Sequence, residues 1–333
     1  MVNKKITIKD VARQAGVSIA TVSQILNGNA EKFTRKTVDK VIEAKTALNY
    51  EPDYFARRMI VKKSKTIGVL VPDITNPFFG QLLRGVEKVL YRENFIAMFC
   101  NADLDEDKES DYLEELSRRG VDGFIIASSA ISNQVIMETL RKKDLPFIVL
   151  DQKKADGFSD AVLTDDFQGG KLAAQHLAEL GHQEVAVVMP KEAPDNIQKR
   201  LAGFREVFPA AKVINSVLSK IGGRAAAAQI LVEDVTGIFA INDEIAFGLY
   251  LGLDEAGKHI PDDYSIVGYD NIDMCEYVTP QLTTVAQPVF ELGQTTAELL
   301  LERIKQPEKE WEEKMLTVHL VERQSTKDVK QHT

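Results

Sequence analysis

A small all-helical head followed by an α/β body of two doubly wound parallel-sheet lobes is the fold this sequence predicts. Three observations carry the prediction. Between Ile6 and Gly28 the string ITIKDVARQAGVSIATVSQILNG holds two short amphipathic helical patterns separated by a turn at Gly16. From Thr66 onward apolar strands alternate with amphipathic helices, and the alternation restarts after Asp165. The charge divides at the same boundary. Residues 1–64 hold 13 Lys and Arg against 6 Asp and Glu, a balance of +7, while the rest of the 333-residue chain holds 28 against 44, or −16. A basic head on an acidic body concentrates attraction for a polyanion at one end.

Thr7 is placed to cap the first helix, with Asp10 three residues on to close a capping box. Ile8, Val11, Ala12 and Ala15 follow at i, i+3, i+4 and i+7, so one face is buried. Gly16 ends this helix. Ser18 then caps a second, which buries Val22, Ile25 and Leu26 and turns Ile19, Ala20, Thr21, Ser23 and Gln24 outward. Two such helices around a Gly-containing turn form a helix-turn-helix, whose second helix can lie in a DNA major groove. Ile19 and Ala20 suit thymine methyls and Gln24 an adenine edge; Thr21, Ser23 and Asn27 are placed for phosphates. After NAEKF, Thr34 caps a third helix to about Leu48, and Val38, Val41, Ile42 and Leu48 complete a three-helix core. Residues 49–64, NYEPDYFARRMIVKKS, read as a linker. Pro52 ends the preceding structure, and Asp53 can cap a helix from Tyr54 to Ile60 that is too short to be stable alone.

In the body, TIGVLVPD is a strand, followed by a helix from Pro77 to Glu93, the strand FIAMFCNA and the helix SDYLEELSRRG. The strand VDGFIIAS, the helix VIMETLRKKD and the strand PFIVLD complete the first half. The second half runs through a helix near Gly169–Leu180, EVAVVMP, helices at Arg200–Val207 and Gly223–Leu231, GIFAIND, a helix to Gly257, and YSIVGYD. Two such halves imply two lobes with a cleft at the carboxyl ends of their strands. Asn76, Phe78 and Phe79 follow the first strand, Asp151 closes PFIVLD, Arg200 begins RLAGFRE, and Asn242 with Asp243 closes GIFAIND. Asp270 closes YSIVGYD, and Gln287 sits in LTTVAQP. This set suits a neutral polyol: Asp accepts from adjacent hydroxyls, Arg donates, Asn and Gln do both, and a Phe covers an apolar ring face. One guanidinium between two carboxylates keeps buried charge partly compensated.

Composition and motifs exclude several classes. Apolar residues at 44% and charged residues at 27% describe an ordinary globular chain. Cys100 and Cys275 form no CxxC, which argues for a reducing compartment and against zinc. MVNKKITIKD carries no apolar stretch and no run approaches a membrane span, so a cytoplasmic protein without membrane association is expected. No GxGxxG follows TIGVLVPD, and neither GxxxxGK[ST] nor GxSxG occurs. His176, His182, His259, His319 and His332 are scattered, and His182 reads as structural; Asp165-Asp166 and Asp262-Asp263 read as caps. Neither a cofactor nor a metal is expected.

The strings IKDVARQAGVSIATVSQILNG, NYEPDYFARRM and TIGVLVPDITNPFF together resemble the LacI/GalR family of bacterial repressors, and the resemblance runs to about Arg323. It implies a body like the periplasmic sugar-binding proteins, with the chain crossing between lobes near Leu163, Ala286 and Glu310–Leu316. The domains expected are a DNA-binding head at 1–48, a hinge at 49–64, an N-terminal lobe at 65–163 with 288–310, a C-terminal lobe at 164–286 with 311–325, and a tail at 326–333. The hinge helix is implied to fold when two subunits sit side by side on double-stranded operator DNA. Met59 stands where the family has a leucine wedge, and Arg57 and Arg58, with Lys62 and Lys63, suit the minor groove. Many relatives carry arginine at the position of Gln24, so the base preference there differs. The DNA contacts expected are thus Thr7, Ser18, Ile19, Ala20, Thr21, Ser23, Gln24, Asn27, Arg57, Arg58 and Met59. For the effector, Asn76, Phe78, Phe79, Asp151, Arg200, Asn242, Asp270 and Gln287 look most like the family's ribose-binding pattern. Near Leu218 purine-binding and some sugar-binding relatives place an aromatic ring, and its absence disfavours a purine more than a pentose. The resemblance implies a sugar-responsive transcriptional repressor of carbohydrate metabolism genes, and a homodimer, since the tail QSTKDVKQHT lacks leucine heptads. Another sugar, a sugar phosphate or a phosphorylated corepressor protein remains open as the signal. A sugar-modifying enzyme with a DNA-binding head is the distant alternative.

Overall fold

The head is built from helices α1 Ile8–Ala15, α2 Ile19–Leu26 and α3 Arg35–Ala47. The computed structural model describes residues 6–51, 63–128, 132–150 and 157–329, and the chain divides into two units, Met1–Ser64 and Lys65–Thr333. Asp10 accepts from both the backbone N–H and the hydroxyl of Thr7, at 3.0 and 2.7 Å. Gly16 ends α1 at φ +66°, a left-handed conformation that costs glycine little. Ser18 caps α2 by accepting from Thr21 N–H at 3.0 Å. Val11, Val22 and Val41 are fully buried at the centre, with Ile25 and Ala44, while Ile8, Leu26, Val38 and Leu48 pack half-buried around them. Ile42 departs from the expected core and is 45% exposed. It lies one residue, about 100° of helix, past Val41, while the inward face runs through Val38, Val41 and Ala44. Tyr50, 8% exposed, fills the core beyond the end of α3 instead.

The body opens with β1 Thr66–Val71, α4 Pro77–Arg92, β2 Ile96–Asn101, α5 Glu106–Arg118, β3 Gly123–Ile126, α6 Asn133–Thr139, β4 Phe147–Leu150 and β5 Asp160–Thr164. It continues with α7 Asp166–Glu179, β6 Val185–Met189, α8 Asp195–Val207, β7 Lys212–Asn215, α9 Lys220–Ile230, β8 Gly237–Ala240, α10 Asp243–Glu255, β9 Ser265–Asp270 and β10 Thr283–Ala286. It closes with α11 Val289–Lys305, β11 Glu313–Leu316 and β12 His319–Val321. The strands form two sheets, ordered β11-β5-β4-β3-β1-β2 and β12-β10-β9-β8-β6-β7. Every pairing is parallel except β10 with β12. Such sheets are covered on both faces, so their strands read as apolar runs without alternation. Among the described residues no helix is long and apolar enough to cross a membrane.

The chain passes between the sheets after β5, after β10 and between β11 and β12. The last crossing corrects the sequence boundary, which gave 311–325 to the C-terminal lobe. Glu313–Leu316 pairs with β5 in the first sheet, so the crossing follows Leu316. The stretch leading to β11 is fixed by Arg303 near the end of α11, which grips Asp160 of β5 through two bonds of 2.8 and 2.9 Å. Arg303 also donates to the carbonyls of Pro307, Lys309 and Glu310, and Trp311 lies over its guanidinium at 4.2 Å. The tail is not free either. Thr326 meets His176 Nε2 at 2.9 Å and Val329 N–H reaches Leu180 O at 2.9 Å.

Candidate functional site

On the head, α2 presents Ile19, Ala20 and Gln24 to solvent, with Ile19 45% exposed. Thr21, Ser23 and Asn27 are half-buried. Ser18 and Thr7 are tied to helix starts, and Asn27 Nδ2 donates to Ser23 Oγ at 3.3 Å. An exposed apolar and amide face flanked by the exposed cations Lys9, Arg13, Lys32, Arg35 and Lys36 can dock on a duplex groove and its phosphates. Arg57, Arg58 and Met59 lie outside the described residues.

In the body, the carboxyl ends of the strands border a cavity of about 330 Å³. Asn76, Phe78, Phe79, Arg200, Asn242, Asp270 and Gln287 all line it, although they are spread over more than two hundred positions. Asp151 lies outside the described residues. Asn76 caps α4 by accepting from Phe78 N–H at 3.0 Å, and Pro77 in the first turn needs no partner. Phe78 and Phe79 meet edge to face, 5.1 Å apart at 81°. Asn242 caps α10 through Ile245 N–H at 3.0 Å. Asp270 ends β9 at φ +119° and Asn271 follows at +56°, strained backbone of the kind that collects at ligand sites. Pro190, Pro194, Val217 and Leu218 supply the apolar wall.

Arg200 does not begin its helix as the sequence implied; α8 starts at Asp195, so Arg200 stands in the second turn, 4% exposed. Its Nε donates to Asp166 Oδ1 at 2.7 Å and its Nη1 to Ile241 O at 2.9 Å, while Nη1 lies 3.9 Å from Asp270 Oδ1. Its guanidinium sits 3.7 Å from the Tyr269 ring, whose hydroxyl donates to Asp166 at 3.1 Å. One guanidinium between two carboxylates is the expected arrangement, but one of the two is Asp166, for which the sequence suggests a cap. Asp165 is the cap, accepting from Gln168 N–H at 3.0 Å, and its neighbour turns inward. Two acids in succession were the available signal, since only one can cap. Asn196, one helical turn before Arg200, also lines the cavity, and the sequence pattern does not show it because the helical periodicity is legible only from Arg200 onward.

Gln287 bridges two parts of the chain. Its amide donates to Asp270 Oδ1 at 2.7 Å, and its carbonyl accepts from Thr164 Oγ1 at 2.8 Å. Asp243 stays behind the wall, accepting from Thr284 Oγ1 at 2.7 Å, Ile272 N–H at 2.9 Å and Cys275 Sγ at 3.1 Å. Complete burial pushes its carboxyl up to about 6. It fixes the start of α10 against β10 and the loop after β9, and so positions Asn242 and Asp270. A cavity with an apolar ring-sized wall, the four carboxamides of Asn76, Asn196, Asn242 and Gln287, the Asp270 carboxylate and an orienting guanidinium can bind a small polyhydroxylated molecule. Among the described residues no group of three or more His, Cys, Asp or Glu is placed to hold a metal.

Comparison with known proteins adds to this geometry. Residues 7–53 match the bacterial regulatory proteins of the lacI family and residues 174–326 a periplasmic binding protein-like domain. The HTH-type transcriptional repressor PurR of Vibrio cholerae is 36% identical over 335 residues, covering 97% of this chain and 98% of that protein. A LacI family transcriptional regulator from Enterococcus faecalis V583, solved with bound ribose, is 68% identical at a TM-score of 0.77, over 79% of this chain and 99% of that one. The lac repressor dimer, solved on operator with the anti-inducer ONPF, is 26% identical at a TM-score of 0.84, over 97% of this chain and 100% of that one. With its helix-turn-helix head, its two-lobed body and a named repressor matching it almost end to end, the chain belongs to the LacI family as a DNA-binding transcriptional repressor and not an enzyme.

Proposed function

We propose that this repressor is ribose-responsive and works in the cytoplasm as a homodimer on a two-part operator, each head reading one half-site through α2. The observation that carries the effector is the lining of the cavity. Asp270, Asn242, Gln287 and Asn76 offer acceptors and donors for ring hydroxyls, and Phe78 with Phe79 offers an apolar face. A regulator 68% identical holding ribose supports the same assignment. Homodimerisation is supported by β2, which sits at the edge of the first sheet with Ile96, Met98 and Phe99 exposed.

A purine effector is the second reading, favoured by relatives named PurR at 36% identity. Leu218 argues against it. The cavity wall is aliphatic there, and among the described residues its aromatic side chains are Phe78 and Phe79. A planar base would stack on one side only, whereas a pentose needs one apolar face. Calorimetry of the full chain with ribose, guanine and hypoxanthine tests both readings. Heat with ribose and none with either base is expected; binding of a base without ribose overturns the assignment. Duplexes selected from a randomised pool, titrated with and without ribose, then report the regulation, and an operator affinity that ribose leaves unchanged removes it.

A further inference from the structure

We propose that the cavity admits unphosphorylated sugars and rejects their phosphate esters. This rests on reading the cavity as a sugar site. Three observations carry it, and the first is the fate of the cation. Among the described residues Arg200 is the one cation in the lining, and its guanidinium is engaged by Asp166, by the Ile241 carbonyl and by the Tyr269 ring. A phosphate could draw on Arg200 only by competing with Asp166, which is 3% exposed and would be left a buried, poorly compensated carboxylate.

The second observation is the acids around the opening. Asp270 lies within the cavity and Asp73 and Glu192 stand exposed at its edge. Lys191 does not line the cavity; it lines an adjoining hollow, whose wall Glu192 shares. The third concerns the helix starts that border the cavity, which would ordinarily attract an anion. At α4 the side chain of Asn76 occupies Phe78 N–H, and Pro77 offers none. At α10 Asn242 occupies Ile245 N–H, and Asp243 and Glu244 stand in the first turn. The first turn of α8 carries Asp195. The starts of α4 and α10 are capped by side chains, while α8 has no side-chain cap but carries Asp195 as its first residue, paired with Lys199 at 3.0 Å. A neutral hydroxyl finds partners here, whereas a phosphate dianion finds repulsion and no uncommitted cation.

The test is calorimetry of the full chain with ribose and ribose 5-phosphate at low salt, repeated with Glu192→Lys. The wild type should bind the ester at least 100-fold more weakly than ribose. Supplying a cation at the rim should shrink that ratio at least tenfold. An ester bound within tenfold of ribose by the wild type overturns the filter, and an unchanged ratio in Glu192→Lys removes Glu192 from it. Absence of heat with ribose overturns the effector assignment and not the filter. The filter is then read from glucose against glucose 6-phosphate and fructose against fructose 6-phosphate. It stands if at least one parent sugar binds and its ester binds at least tenfold more weakly, and falls otherwise.

Discussion

Where Arg200 stands is set by how closely α7 lies against α8, and Gly170→Ala tests this. A Cβ at Gly170 would lie 1.9 Å from the carbonyl oxygen of Arg200 and 2.7 Å from its carbonyl carbon. Ordinary contact begins near 3.4 Å, so the two backbones must part by about 1.5 Å. No flexible side chain is available to yield. Overpacking of this kind costs about 1–3 kcal/mol, or roughly 2–12 °C in melting temperature for a body of this size. The retreat also carries the guanidinium away from Asp166 and Ile241 O, now 2.7 and 2.9 Å distant. The same retreat takes Nη1 from beside Asp270, 3.9 Å away, and a sugar hydrogen bond to that charged group is worth about 1.5–3 kcal/mol, so losing its orientation should lower sugar affinity by about 10- to 100-fold. Gly80→Ala is the control, since a Cβ there meets nothing within 4 Å. It should leave both properties unchanged or raise stability by about 0.4–1 kcal/mol. Melting followed by circular dichroism and titration calorimetry read the two quantities separately. A Gly170→Ala protein that melts within a degree of the wild type and binds sugar equally would refute the packing argument.

Other perturbations have defined outcomes. Asp243 has its carboxyl raised by burial from the ordinary 3.8 to about 6, so the folded state is penalised once it ionises. That penalty is absent below about pH 4, grows towards pH 6 and is full above it, so the stability of Asp243→Asn relative to the wild type should rise over that window. Urea melts at pH 4, 5 and 7 measure the trend, for which about 2 kcal/mol is the expected order. Arg303→Met strands the buried Asp160 carboxylate and should cost about 3–5 kcal/mol, while adding Asp160→Leu should recover most of it. Trp311, the only tryptophan in the chain, stacks on that guanidinium, and its emission in the same melts reports the change. Gln24→Ala should relax preference at one base position by about 1–3 kcal/mol in duplex selection, with the salt slope of binding unchanged.

What the sequence made legible follows from periodicity and capping chemistry. The head was readable because Thr7, Ser18 and Thr34 mark three helix starts and valines repeat at helical spacing between them. The β1, β3, β4, β6, β8 and β9 runs were readable because strands covered on both faces are continuously apolar. Strands β5, β7, β10, β11 and β12 were not, since polar or charged residues such as Asp160, Lys212, Thr283, Glu313 and His319 interrupt runs that are too short to show a period. Helix α11 went unread beside them. Its Gly293 lies against α4, where a Cβ would meet Leu82 O at 2.2 Å, a tertiary fact invisible to local pattern. The cavity residues were legible as strand-end polar groups, because parallel sheets place those ends together. Asp166 and Asn196 were not: each depends on which way a helix start faces, and an error of a few residues in that start rotates the side chain off the site.

The atoms around Gln287 show why a ligand in this cavity can alter how the lobes are held. Thr164 ends β5, where the first passage between sheets begins, Gln287 opens the second, and one amide joins both to Asp270. A sugar hydroxyl that donates to Asp270 competes with Gln287 for Oδ1 or must use the other oxygen, so occupancy and the crossing segments draw on the same carboxylate. A ligand moves an equilibrium only by its unequal affinity for the two arrangements. Shifting one from 1:99 to 99:1 takes about 5.5 kcal/mol. Two or three hydrogen bonds to a carboxylate, at about 1.5–3 kcal/mol each, are of that size. On the proposed sugar response, bonds made to Asp270 in one lobe arrangement and not in another would be of the size that such a shift requires.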